Sequence, residues 1–318
     1  MPLTTKVAYV HLGQTHDEFP EVAEALEERG VSAVPVHLDD MDSTDWASFD
    51  LVNLRMCRGF QKHDDFAERV SGLGRHIEKI SGPGVLVNPS TLIPSGYDKS
   101  VYIPMLESAG IATVPTRWLQ RGTPGSLTDV MAAEGWEDVV VKPAVSSRSW
   151  RTFRASTGKV ADRRGEDHHL LPDDGKAELL FEELLAERTI GVQPFLPGIL
   201  SAGETSYIFL GGGFSHAVHK RVADDGWFAH ELFGGTIVAV TPKRAELDWA
   251  AHVVNTLTEH YGELLFARVD ALPGDLGAPV LLECELVVPR LFLREGDGLS
   301  RYAAEVAARA GANRAARG

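Results

Sequence analysis

Cysteine is nearly absent from this chain: Cys57 and Cys284 are its two thiols in 318 residues. Two thiols cannot build a disulfide framework or a thiolate metal site, so a reducing compartment is expected. No apolar run reaches transmembrane length, and the first residues carry no secretory h-region. A basic excess is missing too, since 31 Lys and Arg stand against 45 Asp and Glu, for a net charge of -14. A nucleic-acid binder would need a positive footprint. The expectation is a cytoplasmic protein with neither a nucleic-acid nor a membrane partner. Anionic small ligands stay open, because a few arginines inside a cleft can dominate locally.

The common nucleotide and hydrolase signatures are also absent. No Walker A sequence occurs, and no Gly-x-Gly-x-x-Gly follows a strand. A kinase signature set and a Gly-x-Ser-x-Gly elbow are missing. His11, His16, His216, His219 and His230 lack zinc-ligand spacing. What remains has globular proportions, 44% hydrophobic and 24% charged, and is long enough for two or three domains.

The first ninety residues alternate strand-like and helix-like segments: strands over 6–10, 33–37, 50–55 and 85–88, helices over 17–29 and 64–80. That rhythm predicts a parallel sheet covered on both faces, with ligands at the carboxyl ends of its strands. Arg55, Cys57 and Arg58 fall at such an end. A second unit starts near Ser95, with helices over 97–109, 126–134 and 176–187, extended segments over 113–118, 139–142 and 152–155, and a polar, loop-rich stretch over 157–174 containing His168 and His169. From Thr189 the chain reads mostly as sheet (192–195, 204–210, 214–220, 235–240), then a helix over 245–261. Gly211-Gly212-Gly213 reads as a hairpin turn because no helix follows it, and the terminal helix is expected to fray. The expected class is α/β, in three parts: 1–94, 95–188 and 189–318.

Residues 267–292 carry the most information. They read as two strands joined by a Gly/Pro turn, with Asp270 on the first and Glu283 and Glu285 on the second. Residues two apart in a strand point the same way. Converging carboxylates repel unless a cation sits among them, and magnesium suits an oxygen-rich site that bridges to substrate phosphates. Apolar runs on both sides of the acids argue for a half-buried sheet rather than a solvated face. Lys142 ends the apolar strand Val139-Val140-Val141, beside a loop over 145–151 that offers the Ser146 and Ser147 hydroxyls and backbone N–H groups to a phosphate. Lys99 stands early in a helix. Gln193-Pro194-Phe195-Leu196-Pro197 reads as a linker whose backbone and apolar side chains can hold an adenine. Glu204 is a candidate for ribose hydroxyls, and Lys220-Arg221 bring positive charge to the end of the next strand.

In order along the chain, Tyr97-Asp98-Lys99, Val141-Lys142-Pro143, Gln193-Pro194-Phe195-Leu196, Gly203-Glu204-x-Ser206, Lys220-Arg221, Gly234-Gly235, Arg268-Val269-Asp270 and Glu283-x-Glu285 resemble the ATP-grasp superfamily. Each match alone is weak, and the ordered set over 95–293 is strong. Leu54-Arg55, Asn88-Pro89, Phe214-Ser215-His216-Ala217-Val218, Phe233-Gly234-Gly235 and Leu291-Phe292-Leu293 are most similar to the glutathione-synthetase-like branch that contains the D-cycloserine-forming, O-ureido-serine cyclo-ligase. The resemblance implies an ATP-grasp fold with a Rossmann-like N-terminal domain and two α+β lobes enclosing ATP. It implies Lys99, Lys142, Ser146, Ser147 and Arg221 at the phosphates, Gln193, Phe195 and Leu196 at adenine, and Glu204 at ribose. Asp270, Glu283 and Glu285 would ligate magnesium, or manganese in its place. Arg268, Arg221 and Lys142 would be catalytic.

The chain departs from that branch at Met56-Cys57-Arg58-Gly59-Phe60, at Ser146-Ser147-Arg148 and at Val287-Val288-Pro289-Arg290. The expected chemistry is therefore retained on a different substrate, with Arg55, Arg58, Arg148 and Arg290 favouring a carboxylate-rich or phosphorylated one. The expected reaction activates a small carboxylate as an acylphosphate and joins it to an amine, with the loop over 145–151 and the segment over 222–233 closing the site. The alternatives are a cyclo-ligase, a small-molecule kinase and an inactive nucleotide-binding regulator. A homodimer is the expected assembly.

Overall fold

The computed structural model of the protein describes residues 5–14, 18–157, 170–171, 176–224, 226–227, 229, 234–274 and 278–317. His16, His168, His169, His230, most of the polar stretch over 157–174 and residues 225, 228 and 230–233 of the expected closing segment lie outside them. Three sheets organise the chain.

The first sheet is parallel, in the order β2-β1-β3-β4, from β1 (Thr5–His11), β2 (Val31–His37), β3 (Leu51–Met56) and β4 (Leu86–Val87). Val7, Ala8, Tyr9 and Val10 are buried without alternation, because a parallel strand is covered on both faces. Helix α1 (Phe19–Glu27) and helix α2 (Phe66–Ser81) complete the unit, and α2 buries Phe66, Val70, Leu73 and Ile77 at helical spacing.

The middle sheet runs β5-β9-β6-β7-β8, from β5 (Arg117–Leu119), β6 (Asp138–Pro143), β7 (Phe153–Ser156), β8 (Leu170–Leu171) and β9 (Ile190–Pro194). On it pack α4 (Leu127–Glu134) and α5 (Lys176–Glu187), while α3 (Lys99–Ser108) buries Tyr102, Ile103 and Leu106 in the core shared by the first and third sheets. Helix α4 is bounded by local chemistry. The Ser126 hydroxyl accepts from the Asp129 N–H at 3.0 Å, and Gly135 closes it with φ +70°.

The third sheet is antiparallel, in the order β12-β11-β10-β13-β14, from β10 (Glu204–Leu210), β11 (Gly213–Arg221), β12 (Thr236–Val240), β13 (Phe266–Pro273) and β14 (Pro279–Glu285). Its helices are α6 (Gly198–Ala202), α7 (Arg244–Tyr261) and α8 (Gly298–Arg317). Leu210 pairs with Gly213, so Gly211 and Gly212, at φ +57° and +80°, make the two-residue hairpin turn that only glycine adopts readily. Among the described residues, no helix is long and apolar enough to cross a membrane.

Two elements cross the boundaries expected from sequence. Strand β9 pairs with β5 and β6, so residues 190–194 belong to the middle sheet and the crossing to the third sheet comes after Pro194. Helix α8 returns to the first sheet instead of fraying. It buries Tyr302, Ala303, Val306 and Ala310, and the Asn313 amide donates to Asp50 O at 3.0 Å and Gly84 O at 3.1 Å.

Arg55, expected to face substrate, belongs to this junction. Its side chain is 1% exposed, pairs with Glu18, donates from Nε to Pro289 O at 3.2 Å and lies 5.1 Å from the Tyr302 ring centroid. Glu18 also accepts the Leu293 N–H at 2.7 Å. A guanidinium at the end of a buried strand needs such partners, and here they are Glu18 of the first unit with Pro289 and Tyr302 of the returning chain. Asn88 makes a second junction: its amide donates to Phe266 O and Leu286 O at 2.8 and 2.7 Å, and accepts from Leu265 N at 2.7 Å.

Arg55→Met should lower unfolding free energy by about 3–5 kcal/mol in urea titrations, because it strands the buried Glu18 carboxylate. Adding Glu18→Gln should recover most of the loss, and substrate KM values should stay at wild type in the double variant.

Candidate active site

A cavity of about 430 Å³ lies between the middle and third sheets, within the range of small-molecule sites. Strands β6 and β9 line one wall through Val140, Lys142 and Gln193; β10, β11, β13 and β14 line the other. Phe195, Leu196, Ile199, Leu272 and Leu282 give it apolar surface. Six cations (Arg58, Lys142, Arg148, Lys220, Arg268, Arg290) face it against three carboxylates (Glu204, Glu283, Glu285). In a chain of net charge -14, this is a locally inverted field.

Strand register assembles the charges. Arg268 stands opposite Glu285, Asp270 opposite both Glu283 and Ser206, and Glu204 opposite Lys220, so all of them share one sheet face. Arg268 donates from Nε to Asp270 Oδ1 at 2.9 Å and from Nη2 to Asp270 Oδ2 at 2.7 Å, and lies 3.0 Å from Glu285 and 4.0 Å from Glu283. The cation expected among the three acids is therefore, in this structure, the neighbouring guanidinium. Ser206 Oγ donates to Asp270 at 2.5 Å, and Lys220, paired with Glu204, approaches Asp270 at 3.6 Å. Burial opposes ionisation of Asp270, yet Arg268 and Lys220 hold it well below the ordinary carboxylate range. Burial likewise opposes Glu283, which Lys99 and Lys142 pull down. Glu285 is pushed up by burial, against the attraction of Arg268. Glu204 is pushed up to about 7 by burial, despite Lys220 beside it.

Asp270 is fully buried with both oxygens engaged, and among the described residues no group of three metal-ligating side chains forms. Glu283 and Glu285 keep 24% and 23% of their side chains exposed on the cavity wall. Two hard-oxygen donors beside a cationic wall fit a magnesium ion that takes its remaining ligands from water and phosphate.

The lysines divide their work. The Asp98 carboxylate caps α3 by accepting from Ser100 N at 2.9 Å, which sets Lys99 as the first helical residue. Lys99 Nζ donates to Ser146 O at 3.0 Å and lies 3.5 Å from Glu283. It stands behind the cavity wall and ties the 145–151 loop to the acidic strand. Lys142, buried at the end of β6, does reach the cavity, and burial lowers its pKa to about 8. Arg221 is a correction. It is the exposed last residue of β11, on the face opposite Lys220, and Lys220 is the cavity cation. The register decides it, since Lys220 pairs opposite Glu204 and Arg221, one residue on, faces the other way.

The loop over 145–151 lines the cavity with Ser146, Ser147 and Arg148. The Ser147 hydroxyl donates to Gln61 Oε1 of the first unit at 2.8 Å, a partner that no sequence signal indicated. Arg148, Ser149 and Arg151 take left-handed backbone (φ 55°, 57° and 52°), at a cost of about 1 kcal/mol or more each. Outward contacts offset this: Arg151 pairs with Glu183 and Glu187, and Arg188 stacks 4.9 Å from the Trp150 ring centroid. On β9, Gln193 Nε2 donates to Thr116 Oγ1 at 2.7 Å, and just beyond the strand Phe195 N donates to Asp138 O at 2.7 Å.

Lys142 gives a pH signature. Its ammonium loses its proton above about pH 8 in the free protein, and a bound polyanion would favour the charged form. Tripolyphosphate affinity should fall as pH rises through about 8 to 9.5, with proton uptake on binding. Calorimetry in buffers of different ionisation enthalpy checks this, and Lys142→Met should remove that part of the pH dependence.

Residues 3–78 match the family model described as D-cycloserine synthetase DcsG, N-terminal domain. Over 310 residues the chain is 27% identical to the cycloserine biosynthesis protein DcsG of Streptomyces lavendulae, covering 92% of this chain and 93% of that protein. The crystal structure of D-cycloserine synthetase DcsG superposes with a TM-score of 0.78 at 24% identity, covering 96% of this chain and 99% of that one. D-alanine–D-alanine ligase from Bacillus anthracis, complexed with ATP, superposes with a TM-score of 0.67 at 15% identity, covering 99% and 100%.

Proposed function

We propose that this chain, which has the ATP-grasp ligase fold, is an ATP-dependent carboxylate–amine ligase. The observation that carries the reading is the cavity itself: apolar surface continuous with a wall of six cations and three carboxylates, in a strongly acidic chain. Val140, Phe195, Leu196 and Ile199 would cover the adenine, and Gln193 and Glu204 would fix its edge and ribose. Lys142, Lys220 and Arg268 would meet the phosphates, with the Ser146 and Ser147 hydroxyls beside them. Magnesium, or manganese, held by Glu283 and Glu285 would screen the phosphate charge when bound.

In the proposed reaction the γ-phosphoryl group passes to a substrate carboxylate oxygen, giving an acylphosphate and ADP. The amine nitrogen then attacks the acyl carbon, the C–O bond to phosphate breaks, and the nitrogen loses a proton. Positioning and charge stabilisation dominate such a sequence. Arg268, fixed by Asp270, would stabilise the tetrahedral oxyanion. Arg58, Arg148 and Arg290 come from three parts of the chain to one cavity and would hold a carboxylate-rich substrate. The 145–151 loop would exclude water from the acylphosphate. The setting is cytoplasmic with small-molecule partners, and the assembly a homodimer.

A second reading, intramolecular ring closure, is favoured by the match of residues 3–78 and the relationship over 92% of the chain to a cycloserine biosynthesis protein. Mass spectrometry separates the two. Ligation gives a product one water lighter than its two substrates combined, whereas cyclisation takes one water from a single substrate.

Sustained ADP release beyond one equivalent per enzyme should require carboxylate and amine functions both supplied with Mg-ATP. ADP accumulating with a carboxylate alone, leaving a stable phosphorylated product, would overturn the ligase in favour of a kinase. Glu283→Gln should lower kcat about 10²-fold or more, with the fold intact by circular dichroism.

A further inference from the structure

Arg154 lies outside the cavity wall, yet it is built into the side chain that forms it. On β7 it stands opposite Val140, a wall residue, and so shares its sheet face. Its guanidinium makes a two-pronged pair with Asp138: Nε donates to Oδ1 at 2.8 Å and Nη2 to Oδ2. Its Cζ lies 3.4 Å from the centroid of the Phe195 ring. Asp138 holds the same residue by its backbone, since Asp138 O accepts the Phe195 N–H at 2.7 Å. One residue thus anchors both the main chain of Phe195 and the cation that covers its ring. Trp227 meets the ring edge at 6.3 Å and 81°. Because Phe195 lines the cavity and Arg154 does not, the guanidinium backs the ring instead of occupying the ligand's place.

We propose that the Asp138–Arg154 pair is a positioning clamp for Phe195 that sets affinity for the purine base of the nucleotide, without contact to the phosphates or to the transferred group. This rests on the nucleotide reading of the cavity. A planar, fork-shaped cation is required, because one group must satisfy the carboxylate with two bonds while its central carbon lies 3.4 Å from the ring centroid. Lysine offers a point charge and can do one or the other. Asp138 begins β6 and Lys142 stands near its other end, while Lys220 and Arg268 belong to the third sheet. Loss of Arg154 should therefore change recognition of the base and leave recognition of the phosphates alone.

The test compares two probes on the full chain with magnesium present: ATP, and inorganic tripolyphosphate, which lacks the base. Their dissociation constants are measured for wild type, Phe195→Ala, Arg154→Met and Arg154→Lys, each checked for a wild-type unfolding transition. The expected result is about tenfold weaker ATP binding in both Arg154 variants, the scale of a lost cation–π contact, with tripolyphosphate unchanged. Steady-state rates should show KM for ATP rising by the same factor, with kcat within about twofold. Equal weakening of both probes would mean a general structural role and overturn the clamp. So would full rescue by lysine, or unchanged ATP binding in folded Arg154 variants while Phe195→Ala weakens it. If Phe195→Ala also binds ATP like wild type, the nucleotide reading of this wall fails, and the clamp with it.

Discussion

The guanidinium of Arg268 sits among Asp270, Glu283 and Glu285, and the inner face of the third sheet depends on that placement. Three carboxylates brought onto one buried face by strand register would repel and protonate. Arg268 keeps Asp270 ionised, Asp270 in turn aligns the guanidinium by a two-pronged bond, and Lys220 and Ser206 occupy the remaining side. Removing a partner from a buried pair of this kind costs about 3–5 kcal/mol, so the face stands or falls as a unit before any chemistry is considered. The same arrangement leaves Glu283 and Glu285 as the acids that reach the cavity, beside Lys142.

Around that face, fully satisfied polar junctions join the three sheets. Asn88 ties the end of the first sheet to the third, Arg55 and Glu18 tie it to the segments at Pro289 and Leu293, and Lys99 ties α3 to the phosphate-side loop and to Glu283. The cavity is therefore framed by charged groups whose positions are set from outside it, and desolvation inside it strengthens each of their fields.

Much of this was legible in the sequence. The alternating rhythm of the first unit, the Gly-Gly hairpin and the paired acids of β14 all express local chemistry with fixed periods, and they survive into the structure. The ordered lysine, hinge and acid motifs located the cavity because each marks a strand end. What could not be read depends on which partner a side chain meets. Arg55 has the composition of a ligand-binding residue and became a junction, because Glu18 and Tyr302 reach it from 37 and 247 positions away in sequence. Arg221 and Lys220 differ only in strand parity, which requires register. The sequence places Asp270 among the acids without showing that Arg268 binds it, and Gln61 carries no signal until Ser147 is seen against it.

The return of α8 to the first sheet has a consequence in time. Val7, Tyr9, Leu26 and Leu51 form one apolar cluster with Tyr302, Val306 and Ala310, so the earliest strands share a core with the last helix. During synthesis that face of the sheet waits, uncovered, until nearly the whole chain has left the ribosome. A nascent first unit therefore cannot mature as an independent domain, and a long-lived exposed face is a target for chaperones and a seed for aggregation. The first sheet therefore matures late, with the last helix, while the middle lobe keeps a core of its own between Leu127 and Val192.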